Sequence, residues 1–374
     1  MTENNNVCFV VGFKSCVYTL FFLLSPCFLW AQAEGLKQDA ETPEQWYQPN
    51  VDTAMINLYD RTFGLTLFLQ QKNIRQNYKS LSGKPHLSYE PNRGTDLGLG
   101  FIYRYLALSA TYGVIGNVPK DAIKTKNFDF QSQLLFRRAV SFLYAQYYKG
   151  FFTDQQSIAA PAGVYARPDM SHIFLGTSTY YGFKKDFAFN GNISPVQWQR
   201  QSGGTPFISL DVYFALSRGD SAMIPKAVAA DYYYAGMQRQ RTWSVGIGAG
   251  YAHTFVLGKH FFLTGIAGLK VPVNFSRQTY EDGTIQHEQG SSLTYALWGR
   301  AGYNAERWNI ALTATNNRNP LGGDFFAPAF AANVGYLRLG YTQRFTIGKK
   351  TRKKLKPVDD LLDIPYKLLE QIIP

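Results

Sequence analysis

Residues 308–316 read Trp308-Asn309-Ile310-Ala311-Leu312-Thr313-Ala314-Thr315-Asn316. Trp308, Ile310, Leu312 and Ala314 alternate with Asn309, Ala311, Thr313 and Thr315. Successive side chains of a strand point to opposite faces, so one face here is greasy and the other small and polar. The same alternation recurs over 62–72, 95–103, 105–114, 126–136, 138–149, 168–182, 205–217, 241–255, 260–273, 291–303 and 332–347. In 205–217, Ile208, Leu210, Val212, Phe214 and Leu216 oppose Ser209, Asp211, Tyr213 and Ser217. The pattern predicts an all-β fold: a transmembrane antiparallel β-barrel of about 12 strands (range 10–14), apolar toward lipid and polar toward its lumen.

Connection lengths support this. Short turns are expected near Arg104-Tyr105, Arg137, Leu257-Gly258-Lys259 and Asn304-Ala305-Glu306. Long segments separate them at 73–94, 115–125, 150–167, 218–240, 274–290 and 317–331. Outer-membrane barrels pair short periplasmic turns with long external loops. The stretch 183–204 reads either as a further strand opening at Phe187 or as a periplasmic excursion.

The first 33 residues supply an address. Lys14, an apolar run from Val17 to Trp30 and Ala31-Gln32-Ala33 form a secretory signal with a cleavage pattern. The run is shorter than the roughly 20 residues of a membrane-spanning helix. Leu24-Ser25-Pro26-Cys27 faintly resembles a lipoprotein box, but Pro26 and the greasy residues after Cys27 argue against lipidation. Cleavage removes Cys8, Cys16 and Cys27, all the cysteines, so the mature chain has no disulfide and no thiolate chemistry. The expected divisions are a signal (1–33), an N-terminal periplasmic segment (34–61), the barrel (62–348) and a basic periplasmic tail (349–374).

Aromatics are 16% of residues and charged residues only 17%, below the usual ~25%. A mean hydropathy of −0.21 excludes a helical membrane bundle. Tyr147-Tyr148, Tyr180-Tyr181, Tyr232-Tyr233-Tyr234 and Phe325-Phe326 read as interfacial girdle rather than as a carbohydrate-stacking platform. In Gly246-Ile247-Gly248-Ala249-Gly250 the glycines share one face, leaving lumen space or permitting close backbone approach.

Tyr89-Glu90-Pro91-Asn92 is followed by Leu97-Gly98-Leu99-Gly100-Phe101-Ile102-Tyr103-Arg104. Then come Arg167-Pro168-Asp169-Met170, Tyr180-Tyr181-Gly182-Phe183 and Gln201-Ser202-Gly203-Gly204-Thr205-Pro206-Phe207. In this order the segments resemble a Bacteroidota outer-membrane barrel family, domain of unknown function 4421, over roughly 55–348. Gly182-Phe183-Lys184 departs from the Phe-Asn pair expected there. The resemblance implies fold and location and carries over no site, cofactor or activity.

The net charge is +12, of which residues 34–348 hold about +9. Lys349, Lys350, Arg352, Lys353, Lys354 and Lys356 form a basic run. In an exported barrel such a run reads as a solvated tail against anionic lipid, cell-wall polymer or a periplasmic partner, not as a nucleic-acid site. Barrel-assembly machinery and outer-membrane lipid are the other expected partners. The residues after it, 361–369, suggest a short interfacial helix interrupted by Pro365.

Along the strand register Arg104, Arg137, Arg300, Arg338 and Arg344 face inward with Asp96, Asp129 and Asp211. They form either a lumen network that holds strands together or a basic path that favours anions. For enzymatic readings the five histidines are His86, His172, His253, His260 and His287. No His-x-Ser-Asn-Gly element occurs, and His172 and Ser178 lie about 20 Å apart along a strand. No histidines share a ligand spacing, and no cofactor or metal is expected. Three function classes follow: a small-solute pore with mild anion preference, a non-conducting structural or assembly barrel docking a periplasmic partner, and an outer-membrane lipid hydrolase.

Overall fold

The computed structural model describes residues 54–59, 62–81, 83, 85–104, 106–115, 124–135, 138–155, 158, 163–189, 191, 197–323, 325, 328–348, 350, 351 and 353–360. The signal segment, Arg137, Phe326, Lys349, Arg352 and the helix expected at 361–369 lie outside them. The chain divides into two compact units. The smaller is Met1–Tyr47, Arg61–Phe63 and Phe345–Pro374. In it the Phe63 and Phe345 rings stack at 5.0 Å, and residues 353–360 are helical.

The larger unit, Gln48–Asp60 and Gly64–Arg344, carries nearly all the strands. They are β1 (Ile56–Leu58), β2 (Thr62–Tyr78), β3 (Leu87–Pro91), β4 (Thr95–Tyr103), β5 (Leu106–Ile115), β6 (Lys126–Leu135), β7 (Ala139–Thr153) and β8 (Tyr165–Gly182). There follow β9 (Gln197–Gln199), β10 (Gly203–Arg218), β11 (Met237–Leu257), β12 (Phe261–Tyr280), β13 (Ile285–Ser291), β14 (Thr294–Asn304), β15 (Trp308–Gly323) and β16 (Pro328–Thr346). Neighbours pair in the order β11-β10-β8-β7-β6-β5-β4-β2-β16-β15-β14-β12-β13, and β11 also pairs β12. β1 and β9 form a separate two-stranded sheet.

The large sheet has fourteen strands, not twelve. The two additions sit in segments read as loops. β3 pairs both β2 and β7, bridging past the short β4, β5 and β6. β13 pairs Val273–Thr279 of β12, continuing the side on which β14 pairs Phe261–Lys270. Among its described residues the stretch 183–204 adds to the large sheet no strand of its own before β10 begins at Gly203; its β9 pairs instead with the N-terminal β1.

Burial follows the alternation with apolar residues outside. On β10, Ile208 and Leu210 are each 50% exposed, whereas Ser209 and Asp211 are buried. On β15, Ile310 and Leu312 are exposed and Asn309 is buried. Toward the long connections the sense reverses. On β2, Leu67 and Leu69 are exposed, but beyond them Asn73 and Arg75 are exposed while Ile74 and Tyr78 are buried. Ile74, Tyr78, Tyr89, Phe151, Met170, Phe174, Met223, Tyr232, Met237 and Phe330 join in one apolar core at this end. It is termed the cap below, and the region with apolar residues outside the belt.

Candidate functional site

The interior at belt level is where the charged candidates converge. Asp96, Asp211, Arg300 and Arg344 are buried. Lys72 on β2, which sequence reasoning passed over, forms an ion pair with Asp129 on β6; the two side chains are 1% and 3% exposed. Asp129 also accepts from Tyr148 Oη at 2.5 Å and lies 3.9 Å from Arg93, which pairs with Asp96. A second group joins three strands: Lys270 Nζ on β12 donates to Asp211 Oδ1 at 2.7 Å and to Tyr180 Oη at 2.9 Å, and Ser178 donates to the same carboxylate.

The arginines have other partners. Arg338 donates through Nε and Nη2 to Gln70 Oε1 at 2.9 and 2.5 Å, and its guanidinium lies 4.1 Å from the Phe68 ring centre and 4.7 Å from that of Tyr336. Such stacking suits a weakly hydrated planar cation. Arg300 donates to Asn309 Oδ1 at 3.1 Å and Gly191 O at 3.3 Å. Arg344 donates to Ala305 O at 2.8 Å and Trp308 O at 3.1 Å, and stacks on Tyr59 at 3.9 Å. Arg104 sits in the turn between β4 and β5 with φ 51°.

Contacts also cross the interior between strands far apart in the pairing order. Phe142 on β7 meets Trp298 on β14 edge-on at 4.6 Å. Tyr213 Oη on β10 donates to Pro320 O on β15 at 2.8 Å. Between Phe142, Tyr180, Phe189, Phe207, Ile266, Ala296 and Trp298 remains a cavity of about 10 Å³, room for about one water. The inward glycines serve close approach: a Cβ on Gly250 would fall 2.5 Å from the Phe207 ring, and one on Gly248 2.6 Å from Ser209 Oγ.

Several tyrosines read as girdle point inward. Tyr148 and Tyr180 are buried, since neighbouring strand residues face opposite ways, and Tyr232, at the end of the short 3-10 turn Lys226–Asp231, packs into the cap core. Outward aromatics include Phe128, Trp243 and Phe275 at one border of the belt and Phe255, Phe261 and Tyr341 at the other. β1 and β9 lie near the short turns: Trp198 packs 5.3 Å from His260, and Arg200 N donates to Met55 O at 2.8 Å.

The serine near His172 comes from the neighbouring strand, directly opposite it: His172 Nδ1 lies 2.9 Å from Ser217 Oγ. Both are buried at 1% and 2% exposure, and His172 Nε2 has no partner among the described residues. No three of His, Cys, Asp and Glu come together as a metal site among the described residues.

This is a mostly antiparallel β-sheet of the outer-membrane-protein kind, with greasy residues outside and a polar, packed interior. The chain belongs to the family described as Domain of unknown function (DUF4421), whose model matches residues 50–344. No curated protein matches it. Among solved structures it is similar to the outer membrane protease OmpT from Escherichia coli, at 9% identity and TM-score 0.33 over 79% of this chain and 100% of that one. It is also similar to Ail, the attachment invasion locus protein of Yersinia pestis, at 10% identity and TM-score 0.19 over 76% and 99%. A third is the toluene transporter TodX of P. putida, at 7% identity and TM-score 0.25 over 76% and 90%. Their names span proteolysis, attachment and transport, and the likeness assigns none of these here.

Proposed function

We propose that this chain is exported, loses its signal near Ala33 and forms a closed outer-membrane barrel that does not conduct. On this reading it is a structural or assembly barrel, with its cap outside and its basic tail available to a periplasmic partner. The twelve wall strands are β2, β4–β8, β10–β12 and β14–β16, and the β11–β12 pairing joins the two ends of the series. Outward residues from Trp243 to Phe255 cover about 40 Å of strand, or about 30 Å across a bilayer at a tilt near 40°.

The observation that carries the non-conducting reading is the contact between Phe142 and Trp298 across the interior. A second reading, a gated path with mild anion preference, is favoured by the neutral hydrogen-bond partners of Arg300 and Arg338. It requires β1 and β9 and the aromatic contacts to move. Recording of the purified mature protein in planar bilayers separates the two. The scaffold reading expects no conductance steps. Steps reversing toward the anion potential, fading as salt shortens the ~8–10 Å screening length, would establish the path instead.

A further inference from the structure

Six basic side chains share the outward face of β6–β12 where the belt meets the cap. Lys126 is the cross-strand partner of Lys149, Lys149 of Ser171, Ser171 of Arg218 and Arg218 of Arg239. Two residues closer to the belt, Arg241 is the direct partner of Arg277. All six cations are exposed. Like charges placed directly opposite on neighbouring strands destabilise a sheet, so this arrangement calls for an anion.

The described residues do not supply one. Among the described residues no carboxylate forms an ion pair with any of the six. Two nearby acids are committed elsewhere. Asp169 binds Arg167 at 2.7 and 2.9 Å and the Asp220 N–H at 2.9 Å. Glu288 accepts from Tyr234, Gln278 and the Gly323 N–H on the other face of β13. Among the described residues Arg218 donates to Ser171 Oγ, at 3.2 Å.

The height of these rows defines the partner. Trp243 and Phe275, 60% and 50% exposed, form the next outward row toward the belt. Aromatic residues of this kind mark the membrane–water border, so the cations stand at headgroup height. They extend over five strand spacings, about 24 Å, too wide for a single phosphate. Arginine binds phosphate oxygens through paired N–H donors.

We infer that this face binds the phosphate groups of a multiply phosphorylated lipid in the leaflet on the cap side. The inference rests on the membrane reading above. The test places the full mature chain in phosphatidylcholine nanodiscs containing bisphosphorylated lipid A and counts retained lipid A by native mass spectrometry. Arg239→Gln/Arg241→Gln/Arg277→Gln should retain about tenfold less than the unaltered chain. Lys184→Gln/Lys185→Gln/Lys259→Gln, which removes three cations near the short turns, should retain as much as the unaltered chain. Folding of each variant is checked by gel migration before and after boiling; if the triple variant fails that check, Arg241→Gln and Arg277→Gln singly replace it.

Equal retention by folded variant and unaltered chain would overturn the inference, as would equal retention of dephosphorylated lipid A. Excess inorganic phosphate should not displace the lipid; full displacement would assign the face to free phosphate and overturn the lipid. Failure of the unaltered chain to enter nanodiscs would instead overturn the membrane reading and this inference with it.

Discussion

Belt and cap are built from the same strands, yet they bury opposite kinds of residue. On β10 the belt exposes Ile208 and Leu210 and buries Ser209 and Asp211; nearer the cap it exposes Arg218 and buries Tyr213 and Ala215. On β2 the corresponding change falls between Leu69 and Asn73. The cap follows the rule of a protein in water, where burying apolar side chains stabilises the fold. The belt suits a surrounding that is itself apolar, where an outward leucine costs nothing and polar groups must be satisfied inside. Its interior is therefore held by hydrogen bonds and ion pairs beside ring contacts such as Phe142 on Trp298, and the cap by Tyr78, Phe330 and their neighbours, with the Tyr78 and Phe330 rings stacked at 4.6 Å.

Three experiments bear on this division. Asp129→Ala should have the largest effect, because it strands the buried Lys72 ammonium in the interior. Breaking a buried pair costs about 3–5 kcal/mol, to be read from the urea midpoint of refolding into lipid. Lys72→Met/Asp129→Leu should recover most of that loss. A cost near zero for Asp129→Ala would mean that the belt interior is wet.

Leu210→Arg and Val212→Arg on the outward face of the belt should each cost about 2–4 kcal/mol by the same assay. Asn73→Arg on the outward face of the cap should be tolerated. Equal damage at all three positions would erase the border between the two regions.

The smallest effect belongs to the cap. The Ala222 N–H donates to Glu281 Oε1 at 2.7 Å, and this bond holds the Glu281 carboxyl below its ordinary value of 4.5, with Lys226 adding to the effect. A lowered carboxylate pKa contributes stability above the unfolded value that is lost as pH falls through the folded one. Hydrogen exchange at the Ala222 amide should therefore be slow near neutrality and quicken, relative to intrinsic rates, once the pH drops below the ordinary glutamate range. Glu281→Gln should remove that pH dependence. An unchanged profile in the variant would detach the anchor from Glu281.

The cap also explains where strand ends were hard to read. β4 spans Thr95–Tyr103, as alternation expects, because it lies within the belt. β2 runs on to Tyr78 rather than ending at 72, and β12 to Tyr280 rather than 273. Beyond the belt the apolar and polar faces exchange places, so a continuous strand looks like a broken pattern. β3 and β13 were invisible for different reasons: β3 is held partly by a partner distant in sequence, with Glu90 opposite Phe152, whereas β13 folds back on β12 in a hairpin, with Ile285 opposite Thr279, and its polar sequence lacks the alternation of the belt.

By itself the sequence determined which side chains of each wall strand share a face, because that depends only on a two-residue period. Trp308, Ile310 and Leu312 had to face one way and Asn309, Ala311 and Thr313 the other. It also placed Asp129 and Asp211 on the inward side. Only the tertiary structure decided what they meet there. Lys72 reaches Asp129, Lys270 reaches Asp211, Ser217 stands beside His172, and the Phe207 ring takes the space left by Gly250. Each of these depends on strand order and register, which bring together residues tens of positions apart and which no local period encodes.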